Sequence, residues 1–286
     1  MKLLTLFFFS LGYTFGQSVG YFRLSDYELK GEVEVIQTSF YREPKDSFGI
    51  VINGKLSREE TMKFNRDGNY IHGNVIDFQY SSKFQFVDKY DTDNTRLSSE
   101  RFDNGKLGSK RIFKYDEYGL LNEISEYDSK GLLIQTIAMN YDTNRLLVSE
   151  YHLNPSGFIE SQVNYVYSDQ LLLISKKTNY QENSDANLYT TYYYNNQNQL
   201  IREVTTHNGT NIIWEHEYEY NGSGNLVLEI ITNTIDLYSE TQYKTIEFKY
   251  DLIGNYVKKI SFISGTRLTK GMPFEIEERS IKYYTK

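Results

Sequence analysis

An aromatic residue followed by Asp or Asn, then Gly or Asn about four positions after the aromatic, then Leu or Tyr, recurs along this chain at a spacing near 26 residues. A period of that length marks an array of one supersecondary unit, each copy burying its apolar face against the next. Five copies carry the whole pattern: Phe64-Asn65-Arg66-Asp67-Gly68, Tyr115-Asp116-Glu117-Tyr118-Gly119, Tyr194-Asn195-Asn196-Gln197-Asn198, Tyr220-Asn221-Gly222-Ser223-Gly224 and Tyr250-Asp251-Leu252-Ile253-Gly254. Looser copies begin at Tyr90, Tyr141 and Tyr167, and secondary copies at Phe102 and Tyr127 divide two of the periods. Each period therefore holds two strands and two turns.

The motif is turn chemistry. Asp or Asn at the first corner caps its own turn, and Gly or Asn at the fourth residue accepts the positive φ of a hairpin with a bulge. Asp116 with Gly119, Asn195 with Asn198, Asn221 with Gly224 and Asp251 with Gly254 occupy these paired places. Flanking residues alternate as strands do: Trp214, His216, Tyr218 and Tyr220 share one parity, and Glu215, Glu217 and Glu219 the other. Leu226, Leu228 and Ile230 are expected to continue the aromatic face beyond the turn. No long stretch keeps the three-and-four spacing of a helix, and three Pro in 286 residues leave strand interiors uninterrupted. The expected fold is all-β: an antiparallel meander of double-hairpin repeats, forming one curled or stacked sheet that covers its own apolar face.

Four segments follow. Residues 1–16 read as a secretory signal, with Lys2, the apolar run Leu3 to Leu11 and small residues at Thr14 and Gly16. The run is short of the roughly 20 residues of a spanning helix. Residues 17–60 fit the repeat poorly and read as an N-terminal β cap, 61–262 as the repeat domain and 263–286 as capping strands. Export combined with no Cys fits a bacterial envelope, in the periplasm or at the cell surface, better than a disulfide-built extracellular module.

On the residues just quoted, from about Met62 to Ile260, the chain resembles the YD-repeat family, also called RHS-like repeats. Its members are secreted or surface β-sheet proteins whose long forms spiral into shells around toxin segments. The resemblance implies shared strand-turn grammar and export. Two features depart from the family: its frequent Arg before Leu is mostly Leu, Gln or Asn here, and the chain is too short for a large shell.

Chemistry is sparse. The four His stand apart, and no metalloprotease, nucleophile-elbow, phosphate-loop or dinucleotide motif occurs. His216 lies between Glu215 and Glu217, but neighbours on a strand point to opposite faces and cannot converge on one ion. Asp91-Thr92-Asp93-Asn94 begins like a calcium loop, yet Arg96 stands where the loop needs Gly and Phe102 where it needs Glu. No catalytic residue, metal or cofactor is therefore assigned. A net charge of -7 and a pI near 5.3, without a basic stripe, exclude nucleic acid as the natural partner. Asn208-Gly209-Thr210 and Asn221-Gly222-Ser223 match the glycosylation pattern but read as turns. What remains is a non-enzymatic envelope or extracellular module that binds another protein. The alternatives are a carbohydrate-binding module, with Tyr192, Tyr194, Trp214, Tyr218 and Tyr220 as ligand-surface aromatics, an outer-membrane β-barrel, and an unrecognised hydrolase. No stable membrane span is expected after signal cleavage.

Overall fold

A computed structural model describes residues 29–182, 186–235, 238–267, 269 and 271–285. The expectation of a signal at residues 1–16 falls outside them. The described residues hold twenty strands: β1 Val33–Arg42, β2 Lys45–Ser47, β3 Ile50–Ile52, β4 Lys55–Phe64, β5 Tyr70–Asp77, β6 Ser82–Tyr90, β7 Arg96–Asp103, β8 Lys106–Tyr115, β9 Leu121–Asp128 and β10 Leu133–Tyr141. The second half comprises β11 Leu147–Leu153, β12 Ile159–Tyr167, β13 Leu173–Tyr180, β14 Leu188–Tyr194, β15 Leu200–His207, β16 Asn211–Tyr220, β17 Leu226–Ile235, β18 Tyr238–Tyr250, β19 Tyr256–Ser264 and β20 Met272–Tyr283.

From β4 to β20 each strand pairs antiparallel with the next, as a meander requires. The sheet does not stay open. β1 lies between β20 and β4, pairing with β20 from Val33↔Tyr283 to Arg42↔Glu275 and with β4 from Val35↔Lys63 to Arg42↔Lys55. The result is a closed barrel of 18 strands, which corrects the expected curled or stacked sheet. Closure satisfies the hydrogen-bonding edges that an open sheet of this width would leave bare. β2 and β3 form a separate hairpin outside the barrel wall.

The two rims differ. At the near rim every connection between successive strands, from 65–69 to 251–255, is five residues long, and both ends of the described chain lie there. At the far rim the connections range from two residues at 104–105 to seven at 181–187 and 265–271, besides the excursion 43–54 that carries β2 and β3.

The near-rim turns share one set of hydrogen bonds. In the Asp116 turn the Asp116 N–H donates to Leu120 O at 2.9 Å and the Gly119 N–H to Asp116 O at 3.1 Å. The Asp116 carboxylate accepts from the N–H groups of Tyr118 and Leu120. The fourth residue has positive φ: 77° at Gly119, 60° at Asn198, 83° at Gly224 and 93° at Gly254.

A bulge follows each of these turns. Lys114 faces Glu123 while Tyr115 faces Leu121, so residue 122 is extra, and the same slip recurs from β4–β5 to β18–β19. An extra residue reverses parity: across β16–β17, Tyr218 faces Glu229 and Glu217 faces Ile230. Leu228 and Ile230 therefore lie on the face of the glutamates rather than with the aromatics, and Glu229 takes the tyrosine face.

Following the register around the ring puts Ile36, Phe64, Tyr70, Asp88, Phe113, Ile124, Ile137, Glu150, Val163, Glu229, Ile246 and Glu277 on one face, all buried. The opposite face carries the exposed Lys63, Lys83, Lys89, Lys114, Glu217, Glu247 and Lys249. Side chains converge on the concave side of a closed sheet and splay on the convex side, so the buried face is the inner wall. Phe262 and Ile276 are buried on the outer face near the 43–54 excursion, which reaches that face where Lys258 donates to Asn53.

The repeated tyrosines form a ring of stitches on the inner wall at the near rim. Each hydroxyl donates to the carbonyl of the residue that opens the neighbouring strand: Tyr90 to Tyr70, Tyr115 to Arg96, Tyr141 to Leu121, Tyr167 to Leu147, Tyr194 to Leu173 and Tyr220 to Leu200, at 2.6–2.9 Å. Tyr284, just past β20, donates to Phe64 O at the end of β4 at 2.6 Å, spanning the closing strand β1.

Candidate ligand site on the inner wall

The inner wall has two characters. Over β8–β11 it is apolar, with Phe113, Leu121, Ile124, Ile137, Met139 and Leu147 packed in one cluster. A second apolar cluster, Val33, Ile36, Phe64 and Tyr70, sits at the seam. From β11 to β19 the same rows turn polar. One row, two residues before the stitching tyrosines, reads Tyr165, Tyr192 and Tyr218. The row after the bulge reads Glu150, Lys176, Glu203, Glu229 and Lys259.

Within this half, β14–β18 bring chemistry together in register. Tyr192 faces Glu203, Glu203 faces His216, Tyr218 faces Glu229, and Glu229 faces Lys244. Glu229 is the centre of a triad: its carboxylate is hydrogen-bonded to His216 Nδ1 at 3.1 Å and ion-paired with Lys244 Nζ at 3.3 Å. Burial pushes its pKa up, but the His216 hydrogen bond and the Lys244 charge outweigh burial and hold it at about 2. Glu203 goes the other way. Burial raises its pKa, His216 and Lys176 only partly offset that, and Glu229 adds to the rise. Burial and nearby carboxylates likewise raise the pKa of Tyr192 and Tyr218, so their hydroxyls stay protonated as donors. The His216 ring stacks on Tyr218 at 6.1 Å between centroids.

No family model matches the chain, and no curated protein matches it either. Among solved structures it is similar to the TcdB2-TccC3-Cdc42 complex, at 14% identity and a TM-score of 0.41, over 78% of this chain and 12% of that one. The TcdB2-TccC3 structure without the hypervariable C-terminal region gives 13% and 0.40 over 78% and 12%. A porin-like protein from Bacteroides uniformis gives 11% identity and a TM-score of 0.44, over 89% of this chain and 98% of that one. The chain spans about an eighth of the TcdB2-TccC3 chains.

The five aromatics singled out in the sequence separate into three roles. Tyr194 and Tyr220 are stitches whose hydroxyls are committed to Leu173 and Leu200. Tyr192 and Tyr218 lie in the polar half of the wall, beside Glu203 and Glu229. Trp214 stands four residues from Tyr218 toward the far rim, 36% exposed. The turn residues Asp116, Asn195, Asn221 and Asp251 with their partners all sit at the near rim, away from this patch. Glu203, Glu229 and Lys244 escape a sequence reading because simple alternation assigns Glu229 to the wrong face. The usable signal is a polar residue three positions after the residue that opens every second strand, β11, β13, β15, β17 and β19, where the bulge has reversed parity. Among the described residues no three His, Asp or Glu are placed to hold a metal ion.

Proposed function

We propose that the protein is a water-walled barrel of the cell envelope that binds a hydroxyl-rich chain, an oligosaccharide, against the tyrosine-and-charge half of its inner wall, without catalysis. The observation that carries this reading is the register around Glu203: its carboxyl lies on the inner wall facing Tyr192 on one side and His216 on the other, with Tyr218 two residues along the same strand as His216. Tyrosine rings give apolar faces for sugar rings, and their hydroxyls with Glu203 give hydrogen bonds to sugar hydroxyls. The inward position of the aromatics also favours a slender ligand over a folded protein. The repeat itself we read as YD-like, from its Tyr-Asp turns.

A second reading, a barrel that spans the outer membrane, is favoured by closure of an even number of strands and by uniform short turns at the rim that holds both chain ends. Against it stands the outer wall. Lys83 and Lys89 near the two ends of β6, Lys110 midway along β8 and Glu217 on β16 point outward, and a lysine facing the bilayer costs from about 2–4 kcal/mol at the midplane to about 0–1 near the interfaces, an acid less.

Two measurements test these readings. A glycan array followed by calorimetry on the best ligand should show binding that falls at least tenfold in Tyr218→Ala and Glu203→Gln while Tyr193→Ala, on the outer wall, keeps it. No glycan bound, or equal loss in all three variants, removes the proposal. A chain that folds only in detergent would establish the spanning barrel instead.

A further inference from the structure

The tyrosine row of the inner wall keeps a period of its own. Tyr165 on β12, Tyr192 on β14 and Tyr218 on β16 each stand two residues before a stitching tyrosine, at one depth below the near rim. Each ring is partly buried and faces a charged residue on the next strand: Tyr165 faces Lys176, Tyr192 faces Glu203 and Tyr218 faces Glu229. Building the wall does not require this pairing. At the same two places Phe113 faces Ile124 and Phe248 faces Lys259, so the position accepts a ring without a hydroxyl and a partner without a charge. Within this row, tyrosine with a charged partner is a property of β12–β17, repeated three times.

The register makes the steps of this array alike. Tyr165 faces Lys176, Lys176 faces Thr190, and Tyr192 lies two residues on. Tyr192 faces Glu203, Glu203 faces His216, and Tyr218 again lies two residues on. At a strand spacing of about 4.8 Å and a tilt of about 40° the tyrosines stand about 12 Å apart at the backbone and closer at their tips, an interval of about two sugars in an extended chain. An extended peptide repeats every two residues, or about 7 Å, and would lose step with the rings. A ring face and a hydrogen-bonding charge beside it are the two things a sugar can use at each step. We propose that the ligand is a linear glycan with a two-sugar repeat, lying around the inner wall across β12–β17 with one repeat over each tyrosine. This rests on the oligosaccharide reading above, adds Tyr165 and Lys176 to its site, and sets the length of that site at about six sugars.

The test is calorimetry with three linear series of two, four, six and eight sugars: β-1,4-linked glucose, β-1,4-linked N-acetylglucosamine, and hyaluronan fragments. In a series that binds, affinity should rise about fivefold with each added pair of sugars up to the six-sugar ligand and then level off. In Tyr165→Ala and in Lys176→Gln the six-sugar ligand should bind no tighter than the wild type binds the four-sugar one. Tyr165 also packs beside the Phe113 and Ile124 cluster, so Lys176→Gln, which leaves that packing whole, separates a lost contact from a folding defect. Trp214→Ala, on the strand of Tyr218 but off the row, should leave the series unchanged. A ligand weakened by Trp214→Ala and indifferent to Tyr165→Ala and Lys176→Gln would run along the strands and overturn the proposal. So would a two-sugar ligand bound as tightly as the six-sugar one. Both results would leave oligosaccharide binding itself standing. No binding by any of the three series would also overturn the proposal, with the glycan array deciding whether the wider reading survives.

Discussion

Replacing Tyr141 by Phe removes one oxygen and tests whether the stitches hold the wall. The Tyr141 hydroxyl donates to Leu121 O at 2.7 Å, and Leu121 is 3% exposed, so water has poor access to the carbonyl left behind. A net hydrogen bond is worth about 1 kcal/mol, and a buried acceptor left without its partner adds to the loss, giving about 1–2 kcal/mol. The ring stays, so the packing of Tyr141 against the Phe113 and Ile124 cluster is unchanged. For a chain of this size each kcal/mol corresponds to about 2–4 °C, so Tm should fall by about 2–8 °C. The reference is Tyr193→Phe, a tyrosine on the outer wall and 44% exposed, which should stay within about 0.5 kcal/mol of wild type. Urea unfolding of both variants followed by circular dichroism decides the matter. If Tyr141→Phe and Tyr193→Phe unfold at the same midpoint, the stitches contribute nothing and the reasoning fails.

Three further outcomes are expected. Asp116→Ala, which removes the acceptor for two backbone N–H groups, should cost about 1–2 kcal/mol in urea unfolding, whereas Asp116→Asn should cost under about 0.5, because Asn serves at the same turn position in Asn195 and Asn221. Leu171→Gly and Arg145→Gly, exposed residues held at φ 62° and 64° in the fourth turn position, should each stabilise by about 0.5–1 kcal/mol, and Gly119→Ala should destabilise by a similar amount. Glu229 has a folded pKa of about 2 against an ordinary 4.5, so its ion-paired stabilisation is complete above about pH 4.5 and is lost as pH falls toward 2. That loss is on the order of 3 kcal/mol, and an acid titration of stability should lose this component in Glu229→Gln.

Local structure was legible because turn chemistry is local. Asp116, Asn221 and their partner glycines announce hairpins wherever they stand, and strands between them follow from alternation. Two facts were not legible, for different reasons. Closure depends on Val33 meeting Tyr283, a pairing 250 residues apart in which β1 carries no copy of the motif and so gives no sign that it belongs to the wall. The inner wall depends on counting through a bulge: one extra residue after Leu226 exchanges Leu228 for Glu229 on the tyrosine face. A face that looks uniformly apolar under strict alternation is then half charged, and the candidate site lies in that half. The aromatics were legible as a set but not by role, since Tyr192 and Tyr194 are two residues apart on one strand and differ only in what their hydroxyls meet.

The seam has a bearing on how the chain comes to be folded. β1 emerges before the other strands of the ring, yet one of its partners, β20, emerges after them, so a growing chain carries a sheet with two raw margins until the twelve residues of β20 appear. Hairpins can form in order along the way, each needing only its neighbour, whereas the ring shuts in one late event spanning the entire length. A product stopped short of Met272 would keep β1 and β19 as open margins, each able to template a strand from another molecule. Premature termination should therefore yield tangled oligomers rather than smaller barrels.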